Sequence, residues 1–224
     1  FAVAKAIANG EATPFNRRSI VLADGANGDE GGVAVLQSAA NEMTLVFKFS
    51  AQGLSHGHYD KLSYSLYQPG SEVLQDYGMV RFVNIGQKGG GNYLPENTSW
   101  AKQSIAHNTV TQDGISHFGG QYETGSQHHA ELAFADLKDP RVQIVSARDR
   151  HAYPGTLMQR TVAMVQLSAE QKPFVVDLFR LTSDAPRQFD LPFWYVGQHL
   201  GVNAETEATT SDEPLGQHFG YQHL

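Results

Sequence analysis

The chain has 224 residues, of which 41% are hydrophobic and 17% charged, enough apolar material for one large β domain or two small ones. Its net charge is −7 and no run of Lys or Arg exceeds two residues, so it lacks the basic footprint that grips nucleic-acid phosphates. It has no cysteine, which excludes a disulfide framework and any thiolate ligand or nucleophile; no stretch approaches the ~18 apolar residues of a membrane-spanning helix.

Residues 1–9, FAVAKAIAN, are Ala-rich and read as the last turns of a helix stopped by Gly10. FNRRSIVLAD (15–24) alternates into a short apolar run and reads as a strand, and GANGDEGG (25–32) as a loop. VAVLQSA (33–39) and MTLVFKFS (43–50) read as a hairpin, because apolar residues alternate with small or polar ones on both sides of AANE. LSYSLY (62–67) and EVLQD (72–76) are strand-like runs joined by a Pro-Gly turn. NIGQKGGGNYLPENTSW (84–100) reads as a long irregular loop, either wrapped on a ligand or simply solvated. HNTVTQ (107–112) reads as another strand-like run.

From residue 128 onward the pattern repeats. HHAELAFADL, RVQIVSARD, MQRTVAMVQL, PFVVDLFRLT and RQFDLPFWYV are strand-like runs separated by KDP, AYPG, SAEQKP and SDAP. Strands at such short intervals predict an all-β antiparallel sandwich. ETEATTSDEP (205–214) reads as a surface loop, and the last residues, HFGYQHL, as the middle of a strand. With Phe rather than Met first and no signal peptide visible, the expectation is a piece of a longer chain.

The densest polar chemistry lies between residues 53 and 109, which hold His56, His58, Asp60, Asp76, Arg81, Tyr93, Glu96 and His107. His58, Asp76 and His107 each adjoin a strand-like run, and neighbouring strands could bring them together. Two imidazoles and a carboxylate make a plausible zinc set with a fourth position open. On chemistry alone that signal is weak, and the same residues read as hydrogen-bonded core histidines with an Asp capping a turn. No G-x-S-x-G elbow, H-E-x-x-H pair or P-loop is present. GQKGGGNY does not lie between a strand and a helix, so it is no dinucleotide fingerprint.

HGHYDKLSYSLYQPGSEVLQDYG (56–78), GGGNYLPENTSWAKQSIAHNTV (89–110) and SHFGG (116–120) resemble the C-terminal β domain of heparinase II/III-like polysaccharide lyases. NYLPENTSWAKQ, RDRHAYPGTLMQRTV, KPFVVDLFRLTS and FDLPFWYVGQ look most like the oligoalginate lyases of polysaccharide lyase family 17, so the resemblance covers nearly the whole chain. It implies a zinc ion held by His58, Asp76 and His107 that steadies loops beneath a cleft. It implies that Tyr93 and His56 act at the substrate and that Arg81 grips a uronate carboxylate. It further implies residues 1–12 as the tail of an N-terminal (α/α) toroid, residues 13–224 as the β domain, truncated at its C-terminus, and a periplasmic or secreted bacterial enzyme whose copies pair as a homodimer. The toroid would supply an Asn/His pair and a second Tyr, so this chain would carry half a site and show little activity alone.

The residue types suit that chemistry. A uronate lyase removes the C5 proton and expels the 4-O-linked sugar, so the adjacent carboxylate must be neutralised or hydrogen-bonded. Arg81 can do this bidentately. A tyrosine can serve as base or acid if neighbouring cations lower its pKa from ~10; Tyr93 could also be a substrate-stacking residue. Two other readings stay open: a carbohydrate-binding or scaffold module without chemistry, and a lyase for another uronate polymer such as heparan sulfate or hyaluronate. The joint presence of Tyr93, Arg81 and His56 favours an enzyme, and the scarcity of Lys and Arg favours alginate over a sulfated chain.

Overall fold

The structure, a computed structural model, describes residues 2–11, 17–51, 56–76, 94–168, 170–207 and 212–224. A seven-residue helix α1 (Ala2–Ala8) comes first and buries none of its side chains. Then follow β1 (Ile20–Asp24), β2 (Glu30–Gln37), β3 (Thr44–Lys48), β4 (Tyr64–Gln68) and β5 (Ser71–Leu74). After short helical turns come β6 (Thr111–Gln112), a single turn α2 (Tyr122–Gly125), β7 (Glu131–Asp139), β8 (Val142–Asp149), β9 (Thr156–Val165), β10 (Phe174–Ser183) and β11 (Phe189–Asp190).

Among the described residues, nine strands form one antiparallel sheet, ordered β10-β9-β8-β7-β2-β3-β4-β5, with β1 on the free side of β2. The sheet has two halves, β1–β5 and β7–β10, joined at one register pair, Glu30↔Glu131. The joint is braced by Gly31 N–H to Ala130 O at 2.9 Å and Leu132 N–H to Asp29 O at 3.0 Å. Glycine is required here at Gly32, where a Cβ would stand 2.2 Å from Leu22 O and 2.8 Å from Ala23 Cα as β1 crosses.

The halves share one core. Leu36 of β2 and Leu45 and Phe47 of β3, with Phe49 beyond it, belong to the same buried cluster as Val145 and Ala147 of β8 and Met158, Val162 and Met164 of β9. Leu45, Phe47 and Phe49 are two residues apart, so the pleat aims all three at one face. Each such side chain contributes about 1.5–3 kcal/mol by leaving water. The expected all-β antiparallel fold is thus observed, and its core is closed by two halves of one curled sheet.

Local chemistry explains the turns. Ser38 Oγ accepts N–H bonds from Glu42 at 2.9 Å and Met43 at 3.1 Å, and Asn41 takes the left-handed position (φ 55) of the β2–β3 hairpin. Three expectations give way. RQFDLPFWYV forms only the two-residue β11, because Pro192 has no N–H for a ladder; beyond it, Trp194 O accepts from Gln75 N and Val196 N donates to Val73 O, laying the segment along β5. Residues 97–101 are a π-helical turn rather than open loop. The final residues form a 3₁₀ turn, Tyr221–His223, entered through Gly220 at φ 94, not a strand.

Candidate metal centre

Two segments meet at the open end of β4. The first is the turn 56–63. Tyr59 N–H donates to Lys102 O at 2.9 Å, Ser63 N–H to Asp60 O at 3.1 Å, and Lys48 N–H to Ser63 O at 2.9 Å. Leu62, fully buried, sits in the left-handed region at φ 60, a strained choice for a bulky side chain. The second is His107-Asn108-Thr109, buried to 0% exposure at all three residues. HNT is not strand, as expected from sequence, but a junction: β6 begins only at Thr111.

Asn108 explains why an Asn stands in that motif. Its Nδ2 donates to Gln75 O at 2.8 Å and Tyr64 O at 3.3 Å, and its Oδ1 accepts from Trp194 N at 2.7 Å. One amide thereby ties β4, the end of β5 and the Trp194 segment together. Thr109 Oγ1 donates to Lys61 O. These bonds hold His107 against the 56–63 turn.

His58, Asp60 and His107 present ligand atoms within 4.8 Å of one another, with the two imidazole centroids 5.1 Å apart. Asp76 reaches this group through His107, its Oδ1 lying 2.6 Å from Nδ1. The other ring nitrogen, Nε2, stands 3.0 Å from Ala101 O, a partner it can only serve as donor. That bond leaves Nδ1 as the basic nitrogen, aimed at the carboxylates, the orientation a ligating histidine takes from its second partner.

The donor set fits a divalent cation on its own chemistry. Asp60 Oδ1 is buried with no hydrogen-bond partner among the described residues, while Oδ2 pairs with Lys48 Nζ. Burial opposes the ionised form of Asp60, but the charge and bond of Lys48, with the charges of His107 and Lys61, together hold the carboxyl below its usual range. Burial, then the charge on His107, pushes His58 down to about 4, so its imidazole is neutral and free to ligate. Burial also opposes charge on His107, yet its bond to Asp76 and the negative charge of Asp76 and Asp60 raise its pKa. Two carboxylates around two imidazoles thus create a place that favours positive charge, supplied by a proton in a cation's absence. Imidazole and carboxylate donors suit zinc among other divalent ions.

His56 lies exposed in the turn two residues before His58. Arg81 and Tyr93 lie outside the described residues. Sequence reasoning named Asp60 in the central stretch without giving it a role at the metal, although its spacing in H-x-H-x-D was the available signal. Half-buried Lys48 and fully buried Arg160 carried no signal at all.

An exo-oligoalginate lyase of Saccharophagus degradans is 41% identical over 226 residues, covering 99% of this chain and 30% of that protein. An alginate lyase of Stenotrophomonas maltophilia is 42% identical over 224 residues, again 99% of this chain and 30% of that protein. The chain therefore spans about a third of the length of these curated relatives. A solved heparinase III superposes with a TM-score of 0.64 at 17% identity, over 89% of this chain and 28% of that one. A heparan sulfate lyase from Pedobacter heparinus gives 0.50 at 18%, over 71% and 22%; at such identities the likeness is one of fold. A family model described as heparinase II/III-like, C-terminal, matches residues 21–218, and the chain belongs to that family.

Proposed function

We propose that the chain is the β-sheet domain of an exolytic oligoalginate lyase, which breaks uronate glycosidic bonds by β-elimination and releases unsaturated monomers. The observation that carries this is the 41–42% identity, along 99% of the chain, to two proteins named as alginate-cleaving lyases. Those proteins are about three times as long; in this reading the working site is shared with a preceding (α/α) toroid, of which residues 1–12 are the tail, while residues 13–224 are the β domain. The enzyme acts in the periplasm or outside the cell and pairs with a second copy.

In this reading the uronate carboxylate is met by Arg81, so that negative charge developing at C5 is held by a forked guanidinium. Tyr93 and His56 stand at the reacting sugar. One group takes the C5 proton, and a proton is delivered to the 4-O leaving oxygen as the C4–O bond breaks and the C4=C5 double bond forms. His58, Asp76 and His107 hold the metal, with Asp60 beside them. Zinc bound there supplies a rigid positive centre that fixes the 56–63 turn to the HNT junction, and so fixes His56 relative to the cleft. No helix among the described residues is long and apolar enough to cross a membrane.

The test uses the full-length protein on oligoalginate, followed by ultraviolet absorbance of the unsaturated product. Tyr93→Phe is expected to lower kcat by a factor of about 10²–10⁴ with stability unchanged, and the isolated chain of residues 1–224 to show no turnover. Full activity in the variant, or cleavage of heparan sulfate in place of alginate, would overturn the assignment. Turnover by the isolated chain would overturn the shared site. Elemental analysis beside His58→Ala tests the ligand set: one zinc per chain, lost in the variant, is the expected result.

A further inference from the structure

Arg160 is the largest fully buried side chain among the described residues, and nothing in the proposed chemistry uses it. It projects from β9 into the interior between the Tyr64 ring, 4.5 Å from its guanidinium carbon, and the Phe179 ring, at 4.8 Å. Asp177 of β10 takes one side of the fork, with Nε to Oδ1 at 2.9 Å and Nη2 to Oδ2 at 2.7 Å. The third nitrogen, Nη1, donates to two backbone carbonyls at once: Leu62 O at 2.8 Å and Asn108 O.

Those two carbonyls belong to the two arms of the metal centre. Leu62 O closes the turn that presents His58 and Asp60, at the residue whose backbone is in the left-handed region. Asn108 O directly follows His107. A single nitrogen 98 residues from one arm and 52 from the other therefore sets the spacing between them. Water cannot substitute, because Arg160 has no exposure to it. Lysine cannot substitute either: an ammonium lacks the planar fork that grips Asp177 while leaving a nitrogen aimed at both carbonyls.

We infer that Arg160, held by Asp177, is a positioning residue for the metal centre: it fixes the distance between the His58–Asp60 arm and the His107 arm. The inference rests on the reading of that centre as a metal site. It makes metal affinity depend on a residue that touches no ligand side chain.

The experiment compares wild type, Arg160→Lys and the milder Asp177→Asn in the full-length protein. Glu131→Gln serves as control, since it alters the surface pair with Arg148. Each is stripped with chelator, checked for folding by near-ultraviolet circular dichroism, and titrated with zinc against a chromophoric chelator. Cobalt(II) absorption then reports ligand geometry. Both interior variants are expected to bind zinc about 10–100-fold more weakly with an altered cobalt spectrum, while Glu131→Gln matches wild type. If Arg160→Lys does not fold, Asp177→Asn decides. Folded variants with wild-type affinity and spectrum would overturn the positioning role and leave the metal site standing. A wild-type protein that binds neither metal would overturn the metal reading and this inference with it.

Discussion

The molecule has two interiors built on different physics. Between β2, β3, β8 and β9 the core is apolar: Leu36, Leu45, Phe47, Met158 and Val162 are all fully buried and gain stability from area removed from water. A few residues away, below β4, the interior is polar: Asp60, Lys61, Asn108, His117 and Arg160 are equally buried and are held by directed bonds. The first tolerates any side chain of the right volume, so its residues are exchangeable in kind. The second has almost no exchangeable member, because removing one partner strands another in a dry environment.

Two substitutions sharpen that contrast. Phe47→Ala leaves a cavity beside Phe49, whose ring centroid lies 5.9 Å away, and is expected to cost about 3–5 kcal/mol of stability in urea unfolding. The fraction still folded should bind metal as wild type does, since no bond of the polar interior passes through Phe47. Asn108→Ala removes less volume but strands Trp194 N, Gln75 O and Tyr64 O, for a cost of about 2–3 kcal/mol. Its folded fraction should lose metal affinity as well. The two interiors would not be separable if Asn108→Ala kept wild-type affinity, or if Phe47→Ala lost it while still folded.

The same contrast explains what could be read from the sequence. The strands of the apolar interior announce themselves by period: Leu45, Phe47 and Phe49 alternate with Val46 and Lys48, and β7 to β10 lie within two or three residues of the expected runs. The polar interior has no period. His58, Asp76 and His107 were found by motif, and nothing in the string of letters indicates that Asp76 would reach the cluster by way of His107 Nδ1. Arg160 sits in an ordinary alternating strand, TLMQRTVAMV, where an inward arginine reads as a surface one until its partners 17, 52 and 98 residues away are known. The misread of residues 187–196 has a simpler cause. Its apolar content resembles a strand, but Pro192 breaks the ladder, and Trp194 is used to satisfy Asn108 instead.

His117 offers the finest test of the polar interior. Its Nδ1 accepts the Lys61 N–H at 3.2 Å and its Nε2 donates to Val110 O at 2.9 Å, so both ring nitrogens are used by the neutral tautomer. Burial pushes its pKa down to about 4, against the opposing charge of Asp149. A histidine whose folded pKa lies below its unfolded 6.5 binds fewer protons folded than unfolded in the window between those values. Its contribution is therefore fully present above pH 6.5 and is lost as pH falls toward 4. His117→Gln keeps a donor and an acceptor but does not titrate. Urea midpoints measured in chelator across that window should fall less steeply with acid in the variant, by about 1–2 kcal/mol over the full range. His58, lowered to about 4 as well, keeps some slope in place, so the variant's profile should flatten without becoming level. A slope identical to wild type would mean that His117 charges without strain, and that this part of the interior admits water after all.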